Sequence, residues 1–182
     1  MIKTKNDCSK ISVIIPCFKS HETIERAVQS VVDQSHKPEE VILIEDFSHD
    51  ENKTINKLRY LQLFYKNLIK IIIIKNNCNK GPGYSRNIGW RKARGTYIAF
   101  LDADDSWHLD KLKIQLKYIN QNPDIDVICN LDQIGPFDKN LKSKEKENWV
   151  PKKVNYRKML FKNEVSTRSV FLKRSIKSRF KN

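Results

Sequence analysis

No apolar run in this 182-residue chain approaches the roughly 18 residues that a membrane span requires. The first ten residues are polar, and Ile11 to Ile15 is too short for the core of a signal peptide. Any membrane contact is therefore expected to be peripheral, or to lie outside this chain. The four cysteines (Cys8, Cys17, Cys78 and Cys129) are scattered and form no C-x-x-C pair. That excludes a disulfide framework and points to reduced thiols in a cytosolic protein. Glycine is scarce, with five residues, and Gly81, Gly83 and Gly89 make neither G-x-G-x-x-G nor a G-x-x-x-x-G-K-[ST] loop. Dinucleotide and P-loop readings lose their main support. Acids are also short: 21 Asp plus Glu against 35 Lys plus Arg give a formal charge of +14.

The imbalance is local. From Lys139 to Asn182 there are 15 Lys plus Arg and 3 Glu, so this stretch contributes +12. Such a surface suits an anionic membrane or a phosphorylated substrate, or is simply solvated. It carries no aromatic-rich strand motif, zinc spacing or recognition helix, so nucleic acid is not expected as a partner.

What is present is a regular alternation of short β-branched runs and helical periods. Ile11 to Ile15 is a buried strand that Pro16 is expected to stop. Ser20 is placed to cap a helix in which Ile24, Ala27, Val28, Val31 and Val32 form an apolar stripe. Val41 to Ile44 and Ile71 to Ile74 read as further strands, with a helix between them that turns Leu58 and Leu61 inward. A loop from Asn76 opens a helix at Gly83 or Ser85, and Tyr97 to Leu101 is another buried run. A helix through Leu112, Leu116 and Ile119 and a strand from Ile125 to Cys129 follow. Beyond Asn130 the pattern weakens: a polar loop, a short helix from Asn155 to Phe161 and a strand from Ser169 to Leu172 are expected. Strand and helix alternating this way predict an α/β fold, Rossmann-like, with a mostly parallel sheet and helices on both faces.

Chemistry collects where strands stop. Pro16 to Lys19, Glu45 to Asp50 and Asp102 to Asp105 follow the first, second and fourth strands. Ligands of open α/β sheets sit outside the carboxyl ends of the strands. Asp102 and Asp104 point to the same side if the chain stays extended, and their charges then call for a cation or hydrogen-bond donors. Mg²⁺ bridging to a diphosphate fits, because it takes one or two carboxylates plus phosphate oxygens. The competing role is helix capping from Asp105 or Ser106. Asp46 suits a base N–H or a ribose hydroxyl, or an Asx-turn. Phe18 suits the flat face of a base, or the core. Arg86, with Lys80 and Lys92, lies where a cation meets a diphosphate, with a surface ion pair as the rival.

Taken in order, Ile11 to Phe18, Ser30 with Gln34, Val41 to Asp50, Asn79 to Gly89 and Gly95 to Asp105 resemble the family 2 glycosyltransferases. The match runs from about Ile11 to Leu116, and a weaker one near Asn163 to Arg174 resembles the strand before the acceptor site. The resemblance implies the GT-A fold and inverting transfer of a sugar from a nucleotide diphosphate donor using Mn²⁺ or Mg²⁺. It implies a UDP-sugar as donor and a saccharide or lipid-linked acceptor, in bacterial surface polysaccharide synthesis. By position, Pro16, Cys17 and Phe18 line the nucleoside pocket, partly through backbone. Asp46 binds the base and Arg86 lies close to the nucleotide. Asp102 and Asp104 are the D-x-D pair, with Asp104 the direct metal ligand and Asp102 nearer the ribose or the metal shell.

Three positions depart from the pattern. Glu45 stands for the first Asp of an Asp-Asp pair, Phe18 for a common Tyr, and Lys19 for a common Asn. The family's general base, a carboxylate well beyond the D-x-D, has no counterpart here, since Glu164 sits upstream of the expected place. The expected organisation is a nucleotide-sugar-binding half over residues 1–130 and a basic, incomplete acceptor-side region of the same domain over 131–182. The expected location is cytoplasmic, peripheral at the inner face of the membrane. Two rivals remain: a non-catalytic nucleotide-sugar-binding or scaffolding remnant, and a sugar-nucleotide pyrophosphorylase, which the lack of a Gly-rich loop after the first strand disfavours.

Overall fold

A computed structural model describes residues 10–130, 165–177 and 179–180. The strands are β1 (Ile11–Cys17), β2 (Glu40–Glu45), β3 (Lys70–Lys75), β4 (Tyr97–Phe100), β5 (Val127–Ile128) and β6 (Phe171–Lys173). The helices are α1 (Ile24–Val32), α2 (Lys53–Phe64), α3 (Gly81–Lys92) and α4 (Lys111–Gln121), with a 3₁₀ turn at Thr167–Ser169. The sheet order is β3-β2-β1-β4-β6-β5. β1 pairs in parallel with β2 and β4, and β2 with β3, while β6 runs antiparallel to both β4 and β5. The expected α/β architecture holds. The strand expected from Ile125 is reduced to two residues, and the helix expected at Asn155 to Phe161 lies outside the described residues.

Strand alternation sorts the core into two layers. Ile11, Val13, Ile15, Val41, Leu43, Ala99 and Leu101 pack with α1, α2 and α4 through Ile24, Val28, Leu58, Leu61, Leu112 and Ile119. Ile14, Ile42, Ile44, Ile98 and Phe100 face the other way, against Trp90 and Ala93 of α3 and its exit. The chain steps outward from β1 to β2 to β3, then returns to place β4 on the far side of β1. Right-handed crossovers demand that the reversed step pass over the opposite face, which is why α3, alone among the described helices, lies there. Gly89 permits the approach: a Cβ on it would sit 2.5 Å from Ile14 Cγ2 and 3.0 Å from Ile44 Cδ1.

Pro16 does not stop β1. The N–H groups of Glu39 and Asp46 donate to Ile11 O (2.9 Å) and Cys17 O (2.8 Å), so odd residues face β2. Even residues face β4, where the ladder's last bond runs from Leu101 N to Ile14 O (3.1 Å). Pro16 is the next even residue, beyond that bond, so its missing N–H breaks nothing.

Candidate functional site

The order reverses between β1 and β4, and in open α/β sheets this switch point opens the ligand crevice. The loops after β1, β2 and β4 all emerge at this edge, as the sequence predicts. Phe18, at the tip of β1, is 48% exposed. Cys17 is buried, its side chain in the core, so it can contribute only backbone. Burial pushes its thiol up to about 12, leaving it neutral and without a nucleophilic role.

The first two loops are tied together. Asp46 N–H donates to Cys17 O, Lys19 N–H to Ser48 Oγ (3.0 Å) and Ser20 N–H to Thr54 Oγ1 (3.0 Å). Ser48 N–H in turn donates to Glu45 Oε1 at 2.7 Å. Asp50 accepts from the hydroxyl and N–H of Thr54 at 2.5 and 3.0 Å. Partial burial opposes its charge, but those two donors, with the nearby His21, win and hold the carboxyl below its usual value. Ser20 itself does not cap α1: its carbonyl accepts from Thr23 and Ile24, and Thr23 occupies the cap.

Asp46 is buried and accepts three hydrogen bonds. Asn76 Nδ2 (2.7 Å) and Lys80 N–H (3.0 Å) donate to Oδ1, and Gly81 N–H (2.8 Å) to Oδ2. Its carboxylate therefore braces the start of α3, where unpaired N–H groups and the helix dipole favour negative charge. Gly81, with φ +81°, lets the chain turn into that position. One acceptor site on Oδ2 remains beyond these bonds. Asn76, which also donates to Ser85 Oγ at 3.1 Å, carried no sequence signal as a polar residue in a loop.

After β4 the chain bends rather than staying extended: Asp105 N–H closes a turn onto Asp102 O at 3.1 Å. The strand-alternation argument for Asp102 and Asp104 thus fails locally, since Asp opening a turn outweighs continuation of the strand. Helix α4 starts at Lys111, with Asp110 at the N-cap position but no capping side-chain bond, and not at Asp105 or Ser106. Asp102 pairs with Arg86, which is largely buried on α3. Asp104 is exposed, and its carboxylate has no partner among the described residues, while its carbonyl accepts from Arg26. Asp105 pairs with Arg168 at 2.7 Å, a partner 63 residues away that no local pattern could have revealed.

Ser30 and Gln34 hold the segment that follows. Gln34 donates to His108 O (2.7 Å) and accepts from Leu112 N–H (3.0 Å), and Ser30 Oγ accepts from Trp107 N–H (3.1 Å). Trp107 Nε1 donates to Arg168 O at 3.0 Å. Among the described residues no group of three or more His, Cys, Asp or Glu side chains forms a ready-made metal cage. An exposed unpaired carboxylate beside a second one does fit Mn²⁺ or Mg²⁺ where a diphosphate completes the shell. A cavity of about 300 Å³ lies at the β2 loop, lined by Phe47, Ser48, His49, Asp50, Ile55 and Lys75 among others. It includes none of Phe18, Arg86, Asp102 or Asp104, and so lies beside the candidate site.

Known proteins resemble this chain in sequence and in fold. The chain is 30% identical over 174 residues to the poly(ribitol-phosphate) beta-N-acetylglucosaminyltransferase TarP of Staphylococcus aureus, covering 94% of this chain and 49% of that protein. It is 36% identical over 110 residues to the UDP-Glc:alpha-D-GlcNAc-diphosphoundecaprenol beta-1,3-glucosyltransferase WfaP of Escherichia coli, covering 60% and 41%. The fold matches S. aureus TarS 1-349 in complex with UDP-GlcNAc, with a TM-score of 0.67 at 22% identity over 91% of this chain and 46% of that one. It also matches the mannosyltransferase PcManGT of Pyrobaculum calidifontis in complex with GDP-Man and Mn²⁺, with a TM-score of 0.60 at 22% identity over 68% and 36%. The chain spans less than half the length of each of these proteins. No helix among the described residues is long and apolar enough to cross a membrane. The Glycosyl transferase family 2 model matches residues 12–180, and the chain belongs to that family.

Proposed function

We propose that this chain is the donor-binding portion of an inverting glycosyltransferase that moves a sugar from a UDP-sugar to a saccharide or lipid-linked acceptor in bacterial surface polysaccharide synthesis. One observation carries this: Asp104 has an exposed carboxylate unpaired among the described residues, beside the Arg86–Asp102 pair, at the switch point of the sheet. Phe18 covers one face of the base, Pro16 and the Cys17 backbone shape the pocket floor, and the remaining lone pair of Asp46 accepts from the base. Arg86 holds one oxygen of Asp102, leaving the other for the ribose or the metal shell. Asp104 is the direct ligand. Mn²⁺ or Mg²⁺, when bound, supplies Lewis-acid stabilisation of the charge that grows on the leaving diphosphate.

The names of the two relatives support a surface-polymer or lipid-linked acceptor, and the TarS complex supports a UDP-linked donor. The basic stretch from Lys139 to Asn182 suits contact with anionic lipid or a lipid-linked phosphate at the cytoplasmic face of the membrane. Deprotonation of the acceptor hydroxyl is assigned to no described residue. Isothermal titration with UDP and Mn²⁺ tests the proposal: the wild type binds, and Asp104→Ala loses most of the Mn²⁺-dependent affinity while UDP alone binds both equally. Wild-type protein that ignores UDP, or an Asp104→Ala variant that binds as well, overturns it. Binding without turnover on any acceptor favours the non-catalytic alternative.

A further inference from the structure

A segment far along the chain reaches back to the candidate site. Residues 174, 179 and 180 lie against α3. Trp90 Nε1 donates to Arg174 O at 3.2 Å, and the Arg179 guanidinium lies 4.1 Å from the centre of the Trp90 ring. Asn87 then grips the backbone of Phe180 from both sides: its Nδ2 donates to Phe180 O (2.9 Å) and its Oδ1 accepts from Phe180 N–H (3.0 Å). The Phe180 ring is thereby fixed edge-on to Phe100 of β4, with centroids 5.1 Å apart.

The fixed ring faces Arg86, with the guanidinium carbon 5.4 Å from its centre. Arg86 is 9% exposed, it pairs with Asp102, and its Nε is buried with no partner. A buried guanidinium held by one carboxylate through one end is free to pivot about that contact. The aromatic face removes the freedom, since a cation within about 6 Å of a ring centre is attracted to its quadrupole. Arg86 is thus clamped between Asp102 and Phe180, and Asp102 is held in turn.

We infer that Phe180 is a positioning residue for the donor site: its ring fixes the Arg86–Asp102 pair in the orientation that a metal-bound nucleotide diphosphate requires. The inference rests on the donor-binding role proposed above and adds a requirement for an aromatic side chain 78 residues beyond Asp102 in the chain. Bulk alone does not satisfy it. Leucine fills much of the space but has no quadrupole, whereas tyrosine keeps the face.

The test is titration of UDP with Mn²⁺ against the wild type, Phe180→Leu, Phe180→Met and Phe180→Tyr, with thermal melting of each. The expected result is a loss of affinity of about fivefold to tenfold for the Leu and Met variants, and near-wild-type affinity for Tyr. Leu and Met lose the ring against Phe100 and are expected to melt below Tyr, so the separating readout is UDP titrated without Mn²⁺, which is expected to bind all four proteins alike. The Met variant serves if the Leu variant does not fold. A loss of UDP affinity that is equal with and without Mn²⁺, or no loss in Leu and Met, overturns the positioning role while leaving donor binding intact. Wild-type protein that fails to bind UDP overturns the donor role itself.

Discussion

Replacing Asp46 separates its two possible duties. Its carboxylate accepts from Asn76, Lys80 and Gly81 at 2.7–3.0 Å, and hydrogen bonds to a charged group contribute ~1.5–3 kcal/mol each. The three do not simply add. Asn76 keeps Ser85 Oγ at 3.1 Å, Gly81 N–H has Asn79 Oδ1 at 3.2 Å as an alternative, and Lys80 is open to water. Counting each as about half lost, and adding the charge at the start of α3, Asp46→Ala should cost about 3 kcal/mol. For a chain of this size that lowers the melting temperature by roughly 6–12 °C. Asp46→Asn keeps an oxygen for Asn76 and Lys80 and turns only its amide toward Gly81, so about 1–2 kcal/mol is expected.

Urea unfolding of the two variants measures these costs, and UDP titration on the folded Asn variant asks the other question. An Asp46→Ala protein within about 0.5 kcal/mol of the wild type refutes the brace argument, since a lost buried carboxylate with three donors cannot be that cheap. If instead the Asn variant stays nearly as stable as expected but binds UDP more than tenfold weaker, the remaining lone pair of Asp46 is spent on the base. The brace and the ligand contact are then both real, and they act through different oxygens.

Two further predictions address the core. Gly89→Ala puts a methyl 2.5 Å from Ile14 Cγ2: overpacking costs ~1–3 kcal/mol against about 1 kcal/mol of helix propensity gained, so a modest fall in melting temperature is expected and a rise refutes the close-packing account. Iodoacetamide at pH 8 should label exposed Cys78 promptly and Cys17 only after unfolding, as peptide mass spectrometry would show. The Cys17 thiol sits at about 12, above its ordinary 9.0, so the stability tied to its neutral form is complete below pH 9 and is lost as pH rises toward 12. Equal labelling of the two cysteines in the folded protein, or no weakening above pH 9, contradicts that placement.

The parts of the fold that the sequence announced are those decided by local pattern. The α1 stripe from Ile24 to Val32 is buried as its period demands, and β-branched runs from Val41 and Ile71 became β2 and β3. What stayed hidden depends on partners distant in the chain. Pro16 continues its strand only because β4 ends two residues short of it, a fact of pairing that Pro16 cannot signal. Arg168 on Asp105, and Phe180 on Arg86, are contacts across 63 and 94 residues. Glu40, which opens β2, is buried and accepts from Ser12 Oγ (2.8 Å) and Arg94 N–H (2.7 Å), partners 28 and 54 residues away. Position along the chain gave Phe18, Asp46, Arg86, Asp102 and Asp104 a common edge, but their bonding was set by the third dimension.

The departures at Lys19 and in the β2 loop acquire a meaning from the backbone. Lys19, Phe47, His49, Glu51 and Asn52 all have positive φ, between 47° and 65°. Such conformations cost a non-glycine residue roughly 1–2 kcal/mol, less for Asn. Residues in this region persist when surrounding structure over-determines them. Here the determinants are the bonds from Asp46 to Cys17, Lys19 to Ser48, Ser48 to Glu45 and Thr54 to Asp50. Each of these bonds pins a strained residue or its neighbour, and together they join the loops after β1 and β2 into one unit. Strain of this kind lowers stability. The bonds that hold it also fix the loop of Phe18 against the loop of Asp46, an ordering that the donor binding proposed above would not have to supply.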